Sequence, residues 1–123
     1  MTFNYSKKVM QHFLNPKNMG EMKNPDGKGK IGNPVCGDIM EVFIKVRDRK
    51  ISDIKFQTFG CAAAIASSSI ITELAKGKTL EQAKKLTYKE VKKNLKDLPR
   101  IKVHCSAMAI QALKKAIENF EKK

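Results

Sequence analysis

The residues of this chain whose types suit chemistry are three cysteines, Cys36, Cys61 and Cys105, with Asp38 and His104 beside two of them. Thiolates are soft donors that select zinc, copper(I) or iron–sulfur centres over magnesium or calcium. Three thiolates plus one harder ligand, Asp38 or His104, would fill four positions, and a carboxylate in that place would hold a centre less firmly and suit one that is handed on. Between Cys36 and Cys61 lie 24 residues and between Cys61 and Cys105 lie 43. Neither interval is a CxxC or zinc-knuckle spacing, so spacing alone does not define a metal site. The local contexts say more. Gly37, within Cys36-Gly37-Asp38, and Gly60, directly before Cys61, permit tight or left-handed backbone at both places. Cys61 and Cys105 each stand where a helical pattern begins, and there free N–H groups and the helix dipole stabilise a thiolate. Lys102 adds positive charge beside Cys105. Taken residue by residue the alternatives stay open: buried thiols acting as small hydrophobes, Asp38 as a turn residue, His104 as a cap.

The elements that must position these groups follow from hydrophobic periodicity. Tyr5 to Leu14 carries Tyr5, Val9 and Phe13 on one side of a short helix that Asn15-Pro16 ends. Residues 18 to 32 are rich in Gly, Asn and Lys and read as loop, with an Asn-Pro-Asp-Gly turn at 24–27. Inside it, Gly27-Lys28-Gly29-Lys30-Ile31-Gly32 matches G-x-G-x-x-G letter for letter. A dinucleotide fingerprint needs a strand before it and a helix after it, whereas here a turn precedes and Asn33-Pro34 follows. The match is therefore read as flexible loop, with Ile31 to Val35 as a short strand. Met40, Val42, Ile44 and Val46 alternate with Glu41, Lys45 and Arg47, and Ile54, Phe56 and Thr58 continue the pattern after Asp48-Arg49, which predicts a β-hairpin. Cys61 to Ala75 reads as a helix stopped by Gly77, and the absence of charge from Gln57 through Thr72 predicts that it is covered. Ser67-Ser68-Ser69 lacks the nucleophile-elbow pattern and reads as small residues for close packing. Thr79 with Gln82 and Thr87 with Glu90 have capping-box spacing. Ala109, Ile110, Leu113, Ala116, Ile117 and Phe120 form one face of a final helix. Helix, sheet, then helices is an α+β layout, expected as one domain over 1–123.

Composition narrows the function classes. The chain is 41% hydrophobic, in the range of ordinary globular proteins, and its 123 residues suffice to bury roughly 65–70% of the unfolded surface. No stretch approaches the ~20 apolar residues of a membrane span, and the N-terminus carries no signal-peptide pattern, so a cytoplasmic protein is expected. An odd cysteine count suits a reducing compartment better than a disulfide framework. The formal charge of +13 could attract nucleic acid, but the basic residues run from Lys7 to Lys123 without a dense block, and no RNP-like stacking motif occurs. Nucleic-acid binding is disfavoured.

At these same residues the sequence resembles the iron–sulfur cluster assembly scaffold family of the IscU proteins and the NifU N-terminal domain. The resemblance is carried by Tyr5-Ser6-x-x-Val9 with Asn15-Pro16-x-Asn18-x-Gly20, by Cys36-Gly37-Asp38, by Phe56-Gln57-Thr58-Phe59-Gly60-Cys61 running into Ala64-Ile65-Ala66-Ser67-Ser68-Ser69, and by Lys102-x-His104-Cys105-Ser106. It implies an IscU-like α+β fold, a three-stranded antiparallel sheet with helices packed against it and a long C-terminal helix. It further implies a 2Fe–2S cluster held by Cys36, Cys61 and Cys105 with Asp38 or His104, and iron as bound metal, with zinc able to take the same ligands. By the same resemblance sulfur arrives as persulfide from a cysteine desulfurase, Cys105 is its acceptor, and the cluster passes to apo-proteins. The chain is then a scaffold rather than an enzyme with its own turnover, and Tyr5 corresponds to a tyrosine linked to homodimer formation. A zinc-bound sulfurtransferase of the SufU kind is the alternative, against which stands the absence of that branch's insertion between Cys61 and Cys105. Leu98-Pro99-Arg100-Ile101-Lys102 departs from the Leu-Pro-Pro-Val-Lys that an Hsp70-type chaperone recognises in many bacterial members, which argues against that partner. Ala62-Ala63 likewise replaces the family's more common Gly-Ser.

Overall fold

The computed structural model describes residues 11, 14–33, 38–59, 62–87 and 103–122, of which 33, 38, 59, 62–64 and 103–106 are described by their backbone alone. Strands β1 (Gly27–Asn33), β2 (Asp38–Arg47) and β3 (Lys50–Phe59) form an antiparallel sheet in the order β1-β2-β3. Among the described residues three helices follow, α1 (Ala62–Ala75), α2 (Leu80–Lys84) and α3 (Val103–Glu121). The α+β layout expected from the sequence is the observed one.

The hairpin forms as its alternation predicts. Met40, Val42, Ile44, Ile54 and Phe56 turn one sheet face toward α1 and α3 and are all buried. Asp48 and Arg49 both take positive φ, at 54° and 61°, which two-residue turns require to match the strand twist. A register shift between Lys45 and Val46 brings Ile51, rather than a polar neighbour, opposite Val46. On the opposite face Lys28 pairs with Glu41 at 3.3 Å and lies 5.8 Å from the Phe43 ring centroid. Phe43 and Met22 are buried without belonging to the main core. Residues 20–26 reach that face: Asn24 accepts from Lys45 Nζ, and Gly20 stands beside the Lys55 stem.

One expectation is overturned. The glycine-rich stretch is not a flexible loop but strand β1, which begins at Gly27 rather than Ile31 and is described as far as Asn33, with Val35 outside the described residues. It pairs along its length with β2, from Gly27 opposite Ile44 to Asn33 opposite Asp38. Two of its glycines lie against the backbone of α3. A Cβ on Gly29 would stand 2.3 Å from the Ala112 carbonyl oxygen and 2.4 Å from the Ala116 nitrogen, and one on Gly27 would stand 2.3 Å from the Ala116 oxygen. Helix packing gives the stretch an order that its own propensity does not.

The charge-free part of α1, which ends at Thr72, is covered where its side chains are described, as its composition predicts. Ser67, Ser68, Ser69, Ile70, Ile71 and Thr72 are all buried. Their hydroxyls are used locally: Ser68 donates to Met40 Sδ at 3.1 Å, and Thr72 donates to the Ser69 carbonyl at 2.7 Å. Ser69 Oγ also accepts the Lys17 N–H at 2.8 Å, and Thr72 Oγ1 accepts from Asn18 Nδ2 at 3.1 Å. Residues 17–20 are thereby held between α1 and the outer edge of β3, where the Phe56 N–H donates to Asn18 and the Phe56 carbonyl accepts from Gly20. Of the predicted N-terminal helix, Gln11 and Leu14 are helical and the Asn15 N–H bonds the Gln11 carbonyl at 2.9 Å; its other residues lie outside the described ones.

Gly77 ends the α1 segment at φ 87°, and its N–H bonds the Ile51 carbonyl. The Thr79–Gln82 capping box is present in both directions. The second predicted box, at Thr87 and Glu90, reaches outside the described residues. Arg49 pairs with Glu81 across the surface, and its hydrogen bond holds the Glu81 carboxyl below the usual carboxylate range.

Two substitutions measure these contributions in urea denaturation. Phe56→Ala, at a fully buried position, is expected to cost about 3–5 kcal/mol. Thr79→Ala, which removes an exposed cap, is expected to cost about 1 kcal/mol.

Candidate metal centre

The sheet register fixes where the candidate ligands enter. Asn33 pairs with Asp38, and Ile39 pairs with Phe59, so β1 ends, β2 begins and β3 ends at one end of the sheet. Two chain connections leave that end: residues 34–37, which contain Cys36 and Gly37, and residues 60–61, which are Gly60 and Cys61. Those four residues lie outside the described ones, as do Lys102 and Tyr5. Asp38 is the first residue of β2, and Ala62, directly after Cys61, is the first of α1. Thr58 Oγ1 donates to the Ile39 carbonyl at 2.7 Å and ties β3 to β2 beside this end.

Helix α3 reaches the same place from the other direction. Its residues 116 and 120 stand over Gly27 and its residues 112 and 116 over Gly29, so it runs antiparallel to β1. The four residue steps along the strand from Gly29 to Asn33 span about 13 Å. The same distance back along α3 is about nine residues. That brings the first turn of the helix, with His104 and Cys105, alongside the Asn33–Asp38 pair. Cys105 is the third residue of α3, as the breaker-then-helix pattern predicts. Since α1 follows directly on β3 and ends beside Ile51, where β3 begins, its N-terminus lies at this end too. Neither helix carries an acidic residue in its first turn, so the positive ends of two dipoles are left unneutralised by their own side chains.

The donor types that the sequence offers near these positions, three thiols with a carboxylate and an imidazole, suit a soft-metal centre with one harder ligand. Among the described residues no group of three or more His, Cys, Asp or Glu side chains is placed to hold a metal ion. Sequence reasoning missed what seats α3. Gly27 and Gly29 fall two apart on the face of β1 that meets the helix, and Asn119 Nδ2 donates to the Lys28 carbonyl at 2.6 Å. The signal was present in the period-two spacing of the glycines, which puts both on one side of a strand.

The NifU-like N-terminal domain family matches this chain over residues 4–123. The chain belongs to that family. Among NifU-like relatives, the iron–sulfur cluster assembly scaffold protein IscU 1 of Archaeoglobus fulgidus is 56% identical over 119 residues, covering 97% of this chain and 78% of its own. The IscU scaffold protein of Rickettsia prowazekii is 48% identical over 123 residues, covering 97% of this chain and 93% of its own. In structure, this NifU-like fold is similar to the N-terminal part of a nitrogen-fixing NifU-like protein of Brucella abortus, with TM-score 0.76 at 21% identity over 96% of this chain and 94% of that one. It is also similar to a scaffold protein for the SUF system from Fervidobacterium islandicum, with TM-score 0.73 at 24% identity over 92% of this chain and 96% of that one. No described helix is long and apolar enough to cross a membrane.

Thr58→Val removes the hydroxyl that ties β3 to β2 at this end while keeping its shape. Urea unfolding should show a loss of about 1 kcal/mol.

Proposed function

We propose that this protein is a scaffold on which iron–sulfur clusters, as cargo, are assembled and from which they are handed to apo-proteins. The observation that supports the reading is the shared sheet end, which two chain connections leave and toward which the antiparallel run of α3 along β1 directs its first turn. Cys36 is two residues from Asp38, and Cys61 one residue from Ala62, so chain length keeps each Cα within about 7 Å of a residue described there. The names of the relatives at 48–56% identity point the same way.

In this reading Cys36, Cys61 and Cys105 bind the iron, and Asp38 or His104 supplies the remaining ligand of a 2Fe–2S cluster. Two helix N-termini and Lys102 favour the thiolate forms that binding requires. Cys105 is the sulfur acceptor. Its thiolate attacks the outer sulfur of a persulfide on a pyridoxal-phosphate cysteine desulfurase, and the desulfurase thiolate departs. A carboxylate among the ligands makes the cluster easier to release than four thiolates would. Gly37 and Gly60 let the ligand-bearing connections turn, and Tyr5 is proposed to lie in a homodimer contact.

Anaerobic reconstitution with ferrous iron, cysteine and a desulfurase tests the reading. The expected product is red-brown, with sulfide-to-iron charge-transfer absorption that Cys→Ser at position 36, 61 or 105 abolishes. Colourless protein without bound iron overturns it. Stoichiometric zinc that raises desulfurase turnover, with no cluster formed, would support the zinc-bound sulfurtransferase instead. Metal binding should weaken as pH falls, because protons compete for the thiolates.

A further inference from the structure

The G-x-G-x-x-G match binds no nucleotide in the reading above, yet two of its three glycines are under the tightest steric restriction found among the described glycines. A Cβ on Gly29 would meet three backbone atoms of α3: the Ala112 oxygen at 2.3 Å, the Ala116 nitrogen at 2.4 Å and the Lys115 carbonyl carbon at 3.0 Å. On Gly27 it would meet the Ala116 oxygen at 2.3 Å, Phe120 Cβ at 3.0 Å and Ile44 Cγ1 at 3.1 Å. Backbone atoms have no rotamer to change, so a methyl group at Gly29 has to move the helix itself. Gly32, the third glycine and the nearest to Cys36 in sequence, has nothing within 4 Å of a Cβ among the described residues. One motif thus contains two glycines on which the helix rests and one on which it does not.

Resting on the scaffold reading, we propose that Gly27 and Gly29 are positioning residues of the metal centre. They set how deeply α3 lies on β1, and so where its first turn, with His104 and Cys105, stands relative to Asp38 at the start of β2. The coupling is direct because the same strand serves both partners. β1 bears α3 on its glycine face and, through Asn33, pairs with Asp38 at its end. Asn119, whose amide bonds the Lys28 carbonyl between the two glycines at 2.6 Å, resists sliding of the helix along the strand. A helix lifted or slid by an ångström displaces its ligands as a unit. Metal ligation is sensitive on that scale, since ligand distances are fixed to within about 0.2 Å.

Cobalt(II) titration of the reduced 123-residue chain under anaerobic conditions tests this. Affinity is read by chelator competition and coordination number from the d–d band intensity. Folding is followed in parallel by far-UV circular dichroism and thermal unfolding. Gly29→Ala is expected to weaken Co²⁺ binding about 10- to 100-fold, the range typical of residues that orient ligands without touching metal. Its d–d intensity should fall below that of a four-coordinate site at a temperature where the variant is folded. Gly32→Ala should match wild type in both. Asn119→Ala, which leaves the glycine contacts in place, should move affinity and spectrum in the same direction by a smaller factor. Unchanged affinity and spectrum in folded Gly29→Ala overturns the proposal, as does an equal loss in Gly32→Ala. Should Gly29→Ala fail to fold, wild-type behaviour of Asn119→Ala overturns it instead. A wild-type protein that binds no Co²⁺ through thiolates overturns the scaffold reading itself, a result distinct from all of these.

Discussion

The structure depends on one close approach, that of the α3 backbone to the backbone of β1. Most helices pack on sheets through side chains, which keep the two backbones well apart. Here Gly27 and Gly29 remove that spacer, and the helix comes within reach of the strand's own peptide groups. The contact fixes the helix across and along the strand together, because the Ala112–Ala116 turn fits over a particular pair of residues. The buried faces of Leu113, Ala116 and Ile117 are then brought to the sheet, and the core of Met40, Val42 and Ile44 closes beneath them.

The rest of the sheet is held by more ordinary means. A two-residue turn with positive φ at both positions joins β2 to β3, and alternating Ile, Val and Phe side chains supply the buried face. Helix α1 contributes differently. It presents three serines and a threonine where a core helix usually presents leucine, and these small hydroxyl-bearing residues bond a methionine sulfur, a carbonyl and the backbone at residue 17. Small residues permit closeness, and their hydroxyls are satisfied without water. All the described buried side-chain N and O atoms have a partner.

Where sequence and structure agree, the physics is local or periodic. The hairpin, the covered helix after Cys61, the capping box at Thr79 and the helix that opens just before Cys105 each leave a pattern within about twenty residues. Strand β1 left a misleading one. Glycine lowers strand propensity, so Gly27 to Gly32 looks like loop to any rule that weighs residues one at a time. What makes it a strand lies 80 to 90 residues away in sequence, on Ala112 and Ala116. The placement of the candidate ligands was legible only in part. Adjacent glycines and helix starts marked each residue singly, whereas the shared sheet end emerges from the register of Asn33 with Asp38 and of Ile39 with Phe59.

The outer rim of β3 has a consequence of its own. Antiparallel sheets leave two open borders on which another chain can lay a strand. Along β3 the chain's own backbone occupies this border twice: residues 77–80 bond Arg49 and Ile51, and residues 18–20 bracket Phe56. Two copies meeting at those positions would find the main-chain groups already taken. Strand addition is closed off at those positions, and copies meeting along them have to pair through side-chain surfaces.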